Sequence, residues 1–166
     1  MNSPHIRKAE QKDISNITDL LIRCAENMHQ QGMPHWLGVY DNEAVQQNLL
    51  TKQVYVLEKD EQILGCIAMG TEKASYYDDC WPEAPDAEIY ITQLAVSPEK
   101  QGAGYGKQLL KFCLKQVHDK TVQLDAVDHY PALLKFYKNL GFQIIATGVG
   151  LGDKRHLFTY SANATT

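Results

Sequence analysis

The chain has 166 residues, 44% of them apolar, which is the length of one ordinary domain and enough hydrophobic material for a core. A formal net charge of −4 and a pI near 5.8 exclude the basic field that nucleic acid or an anionic membrane demands, so neither partner is expected. No run approaches the roughly eighteen apolar residues of a spanning helix, and the polar start Met1 to His5 lacks the features of a secretory signal, so the expected location is the cytoplasm.

Cys24, Cys66, Cys80 and Cys113 are far apart, and three of them sit in apolar-periodic segments, which fits a reduced compartment. Neither cysteines nor histidines show the close C-x-x-C or H-x-x-x-H pairing of a metal site, so none is expected.

His5 to Arg7 reads as a short strand. Asp13 is placed to cap a helix whose apolar residues Ile14, Ile17, Leu20, Leu21, Cys24 and Met28 recur at helical spacing. Gly32, Pro34, Trp36 and Gly38 mark a loop, and a second helix covers Asn42 to Leu50. Val54–Leu57 and Ile63–Met69 are β-rich runs separated by polar residues, the pattern of an antiparallel hairpin. Lys73 to Ala87 reads as a long aromatic and acidic loop.

In Glu88 to Ser97, Ile89 and Ile91 share one face by period two, but Leu94 and Val96 fall in the opposite phase. A β-bulge at Thr92-Gln93 produces such a slip, and so does a strand buried on both faces. Beyond a turn and a glycine-rich segment, a helix turns Leu109, Phe112, Cys113 and Val117 inward. Val122–Val127 is a strand, Pro131 opens a helix that Gly141 stops, and Phe142–Ala146 and His156–Tyr160 are strands. The order is strand, two helices, three strands, helix, strand, helix, two strands: a mixed α/β chain. Residues 1–160 form a single expected domain, and the small polar tail 161–166 is expected to fray.

Gln101-Gly102-Ala103-Gly104-Tyr105-Gly106, between strand and helix, leaves backbone amides bare enough to converge on an anion at the helix start. A Walker loop fails on spacing: three residues, not four, separate Gly102 from Gly106-Lys107, and Gln108 follows. A dinucleotide fingerprint is weakened by Lys107 at its last glycine position, although Asp125 lies near the distance of a ribose contact. A turn serving chain reversal alone is the plain structural alternative.

The run Leu94 to Leu110, with its Gln101, Gly104 and Gly106 core, resembles the acetyl-CoA motif of the GNAT superfamily of N-acetyltransferases, and Phe136 to Phe142 resembles that family's Tyr-x-x-x-Gly-Phe segment. The Trp36 region and the later aromatic loop are similar to small bacterial members. The resemblance implies a GNAT fold of six or seven strands and about four helices, with a central strand pair splayed by a bulge. It implies coenzyme A as cofactor, its arm along Leu94, Ala95 and Val96 and its diphosphate on the amides of Gln101, Gly102, Ala103, Gly104, Tyr105, Gly106 and Lys107. Tyr137 matches the usual general acid, and Glu88 lies where relatives often carry a carboxylate base. Asp79, Glu83 and Asp86 are rivals to Glu88. Tyr130 stands where many relatives have a cofactor-contacting Asn.

Trp36, Tyr77 and Tyr90 are candidate acceptor-pocket aromatics, since ring faces suit cations, although loop aromatics also serve as packing anchors. Lys107, Lys111 and Lys115 form a basic stripe, which is as readily a solvated helix face. The leading expectation is acetyl transfer to a small primary amine. The alternatives are a protein acetyltransferase acting on a terminal amine or lysine, and a non-catalytic acyl-CoA-binding module. Open strand edges are compatible with a homodimer.

Overall fold

Among the described residues, 3–161, the computed structural model has seven strands and five α-helices. They run β1 (His5–Lys8), α1 (Ile14–Gln30), α2 (Asn42–Thr51), β2 (Gln53–Lys59), β3 (Gln62–Gly70), α3 (Tyr77–Cys80), β4 (Ile89–Val96), α4 (Tyr105–Gln116), β5 (Val122–Val127), α5 (Pro131–Asn139), β6 (Gln143–Gly150) and β7 (Asp153–Tyr160). The strand order is β1-β2-β3-β4-β5-β7-β6. The β1-β2, β2-β3, β5-β7 and β6-β7 ladders are antiparallel, and β4 pairs with β5 in parallel. This is the mixed α/β architecture expected, with α3 as an added helix inside the segment read as a loop. Of the tail 161–166, all but Ser161 lies outside the described residues.

The chain packs as two compact units, one of residues up to Met69 with Thr92–Cys113, the other of Gly70–Ile91 with Leu114 onward. In the first, Ile17, Leu20, Leu21 and Cys24 of α1 and Val45 of α2 bury against Val54, Val56, Cys66, Ala68 and Ala95. Each fully buried aliphatic side chain of this kind contributes roughly 1.5–3 kcal/mol. Leu109 of α4 meets the other face of β3 at Gly65, where a Cβ would lie 2.9 Å from Leu109 Cδ1. Asp60 and Glu61, with φ of 52° and 65°, close the β2-β3 hairpin in two residues.

Asp13 precedes α1 as expected, but its side chain does not cap that helix. Its carboxylate accepts two bonds from Arg7, at 2.8 and 2.9 Å, and one from the Glu10 amide at 2.7 Å. A fixed guanidinium fork outcompetes a single helix amide for the same oxygens.

In the second unit, Tyr77, Cys80, Trp81, Tyr90 and Leu157 form one cluster. Tyr137 packs against two more rings, its centroid 5.9 Å from that of Phe142 and 5.4 Å from that of Phe158. The β6-β7 hairpin is longer than expected because Gly148 and Gly150 lie within β6 rather than in a loop. Gly148 is required there: a Cβ would collide with the Cys80 carbonyl of α3.

Candidate active site

In the first unit, the centre of β4 carries the irregularity that the sequence pattern foreshadows. Gln93, only 3% exposed, has φ of +60°, a left-handed conformation that costs a non-glycine residue about 1–2 kcal/mol. The neighbouring helix holds this residue: Asn48 Nδ2 of α2 donates to Gln93 Oε1 at 2.6 Å. One turn later, Lys52 Nζ donates to Thr92 Oγ1 at 3.2 Å. The β4-β5 ladder consists of Ile89 with Val122 and Tyr90 with Gln123. Among the described residues, no β5 register continues along Thr92–Val96, so this half of β4 has one edge without a parallel partner. Leu94 and Val96 are half-buried and Ala95 is buried. The burial alternation nonetheless keeps one phase along β4, with Ile89, Ile91, Gln93 and Ala95 buried and Thr92, Leu94 and Val96 half-buried.

The glycine turn follows a short 3-10 turn, Pro98–Lys100. Gly102 and Gly104 have φ of +91° and +84°, and a Cβ built on either meets nothing within 4 Å. Residues 101–104 are exposed. Gln108 N donates to Gly104 O at 3.0 Å. With that as the first intrahelical bond, the amides of Tyr105, Gly106 and Lys107 emerge unpaired from the helix start. Open space over two bare glycines in front of a twelve-residue helix N-terminus is the donor set that a diphosphate requires. Lys107, Lys111 and Lys115 are all exposed. Gln101 Nε2 donates to Val96 O at 3.3 Å, joining the turn to the end of β4.

In the second unit, Tyr137 is buried among Phe136, Phe142 and Phe158. Burial, reinforced by the Asp125 charge, pushes its phenol far above the ordinary value. Tyr130 is also buried at the start of α5, and its hydroxyl is pushed up to about 12 by burial. Glu88 is exposed, and its carboxylate accepts the Thr121 amide at 3.3 Å.

The candidate acceptor aromatics have structural partners. Tyr77 is 2% exposed and donates its hydroxyl to Asp125 at 2.8 Å. The Tyr90 hydroxyl accepts the Ala87 amide at 2.9 Å. In the first unit, Trp36 is half-buried, stands edge-on to Tyr40 with centroids 5.3 Å apart, and packs on the α1-α2 core. The rival carboxylates Asp79, Glu83 and Asp86 are exposed, with Asp86 paired to Lys73 at 2.7 Å.

Residues 51–144, more than half of the chain and including both β4 and the glycine turn, match the family described as the acetyltransferase (GNAT) domain. The chain belongs to the GNAT acetyltransferase family. Among characterised and uncharacterised GNAT relatives, it is 28% identical over 153 residues to the uncharacterised N-acetyltransferase YesJ of Bacillus subtilis, covering 86% of this chain and 85% of that one. It is 24% identical over 164 residues to the S-(2-succino)cysteine N-acetyltransferase of the same organism, covering 95% and 93%. A GNAT acetyltransferase structure from Streptococcus agalactiae superposes with a TM-score of 0.81 at 17% identity, covering 95% of each chain. The ribosomal-protein-S18-alanine N-acetyltransferase of Escherichia coli gives 0.70 at 14% identity, covering 96% and 94%.

Two residues that contact this GNAT strand were not singled out by the sequence reading: Asn48 and Lys52, whose side chains reach Gln93 and Thr92. Asn48 and Lys52 are four apart at the end of a helix, which puts them on one face. That face's direction, however, is set by Val45 seating in the core and is not written in the two polar residues themselves.

Proposed function

We propose that the protein is an acetyl-CoA-dependent N-acetyltransferase acting in the cytoplasm on the primary amine of a small molecule, by direct attack in a ternary complex. The observation that carries this reading is the unpaired edge of β4 at a left-handed Gln93, followed directly by a bare glycine turn at a helix start. A flat strand and an ordinary reversal need neither feature.

Acetyl-CoA, when bound, supplies an activated acyl thioester. The amides of Tyr105, Gly106 and Lys107, with those of residues 101–104, hold its diphosphate, and the exposed Lys107 adds charge. The Leu94–Val96 backbone offers strand-type hydrogen bonds to the pantetheine arm, and a β4 amide near Leu94 is placed to stabilise an oxyanion. Because an alkylammonium gives up its proton at neutral pH for on the order of 4 kcal/mol, a base or water chain is required. Glu88 is the proposed base. Its exposure and its hold on Thr121 favour action through water. Tyr137 is the proposed proton donor to the departing sulfur, and burial keeps its phenol protonated well beyond neutral pH.

The small-molecule reading is supported by the B. subtilis relative, whose substrate is a modified amino acid and which aligns over 95% of this chain. Protein acetylation is the second reading, and the E. coli ribosomal-protein enzyme shares the fold alone at 14% identity. A panel of amino acids, polyamines, amino sugars and peptides, assayed by free-thiol release from acetyl-CoA, tests the proposal. Turnover with a small amine is expected, whereas turnover confined to peptides, or none with any amine, overturns it.

A further inference from the structure

The reaction proposed above leaves Lys52 unused, and its ammonium lies against Thr92 of β4, beside the left-handed Gln93. Its position is set by the chain. Thr51 ends α2, the Lys52 amide caps the helix by donating to Asn48 O at 2.8 Å, and β2 begins at the next residue. A side chain on such a short link has little freedom to leave. Asn48 fixes the same turn to β4 through Gln93, and Lys52 extends to Thr92 immediately beside it.

The charge on Lys52 is undercompensated. An ammonium has three donors, and Thr92 Oγ1 takes one of them. Elsewhere in this chain, partly buried cations meet carboxylates: Arg7 meets Asp13 and Glu58, Lys73 meets Asp78 and Asp86, and Arg155 meets Asp125. Among the described residues, no carboxylate lies within ion-pair distance of Lys52. Burial lowers its proton affinity, the direction expected of a cation that has lost water without gaining an anion. A desolvated cation in that condition binds an anion more strongly than a fully hydrated one does.

We propose that Lys52, with Thr92, holds a carboxylate of the acceptor, so that the preferred substrates are amines that also carry a carboxylate, as amino acids and their side-chain conjugates do. This rests on the acetyl-transfer reading above and narrows it. Thr92 Oγ–H is available to the same carboxylate as a second donor, and the Asn48–Gln93 bond ties α2 to β4 beside the pair. The competing role for Lys52 is structural, complementing the C-terminal end of the α2 dipole. That role affects stability without distinguishing among acceptors.

The test has an arm that does not depend on turnover. Succinate, a dicarboxylate with no amine, is titrated into the protein at constant ionic strength while backbone amide resonances are followed. Saturable shifts at Lys52 and Thr92 are expected in the wild-type protein and in Lys52→Arg, and their loss in Lys52→Met. Absence of shifts in the wild type, or equal shifts in Lys52→Met, overturns the proposal. In the second arm, α-amino acids are compared with the amines left by removing their carboxylates. The wild-type protein is expected to favour the carboxylated member by at least about tenfold in kcat/KM, and Lys52→Met to bring that ratio within about twofold of one. A ratio that Lys52→Met leaves intact, with only a lowered Tm, assigns the structural role and refutes the proposal. Succinate shifts at Lys52 without acetylation of any small amine uphold the anion site and defeat the small-molecule acetyl-transfer reading instead.

Discussion

Replacing Gly104 by Ala isolates the contribution of the glycine turn. At φ of +84° with nothing within 4 Å of the added Cβ, the substitution introduces no clash inside the protein. Its cost is therefore conformational, about 1–2 kcal/mol for placing an L-residue in the left-handed region. Because residues 101–104 are exposed, the loop relieves this strain by leaving its native path. Coenzyme A must then restore that path, and the competent fraction falls with it. At 1.4 kcal/mol per factor of ten, the dissociation constant should rise roughly 5–30-fold. Gly32→Ala is the matched control: its φ is +83°, its Cβ also meets nothing within 4 Å, and it lies beyond α1. Calorimetric titration of coenzyme A into the three proteins measures the effect. Gly104→Ala is expected to weaken binding while Gly32→Ala does not, at the cost of a few degrees in Tm for either. A Gly104→Ala protein that binds coenzyme A within twofold of wild type refutes the reasoning.

Tyr137→Phe should lower kcat at least tenfold while leaving coenzyme A affinity within twofold; an unchanged rate of thiol release removes the general-acid role. Asp13→Asn breaks the two-pronged pair with Arg7 and should cost about 3 kcal/mol, or roughly 6–12 °C in Tm by calorimetry. Arg7 holds the Asp13 carboxyl below its ordinary value of 3.8. Its stabilisation is thus complete above about pH 4 and is lost as pH falls from there through the lower folded value. Urea melts from pH 5 to pH 2 should accordingly show a shallower fall in stability for Asp13→Asn than for wild type. Gly148→Ala drives a Cβ into the Cys80 carbonyl and should cost about 3 kcal/mol or more by the same melts; a change under 1 kcal/mol contradicts the close approach of α3 to β6.

The most useful signal in the sequence was a failure of pattern. Ile89 and Ile91 alternate, Leu94 and Val96 fall in the opposite phase, and Gln93 between them is found at φ of +60°. The slip marks the left-handed residue but not a change of phase in burial, because Gln93 and Ala95 stay buried in step with Ile91 while Leu94 and Val96 are half-buried. The glycine turn was legible because Gly102 and Gly104 adopt the conformations that glycine alone tolerates easily.

Other features were less visible. α3 has four residues, too few for a periodic signal, and is held by Tyr77 on Asp125 rather than by helix propensity. The sequence pattern ends its strand at Ala146, yet Gly148 and Gly150 lie within β6, where α3 leaves little room for a side chain. Asp13 had the right type and position for a cap, but Arg7 claimed its carboxylate. Lys52 carried no local mark at all, since a lysine's importance depends on what burial denies it, and burial is a property of the fold.

Amide resonances recorded with and without coenzyme A, and with pantetheine, which lacks the diphosphate, test the central claim most directly. Coenzyme A should move the amides of Tyr105, Gly106 and Lys107 together with those of Thr92–Val96, and pantetheine should move only the β4 set. Binding of coenzyme A that leaves Tyr105–Lys107 undisturbed would contradict the account.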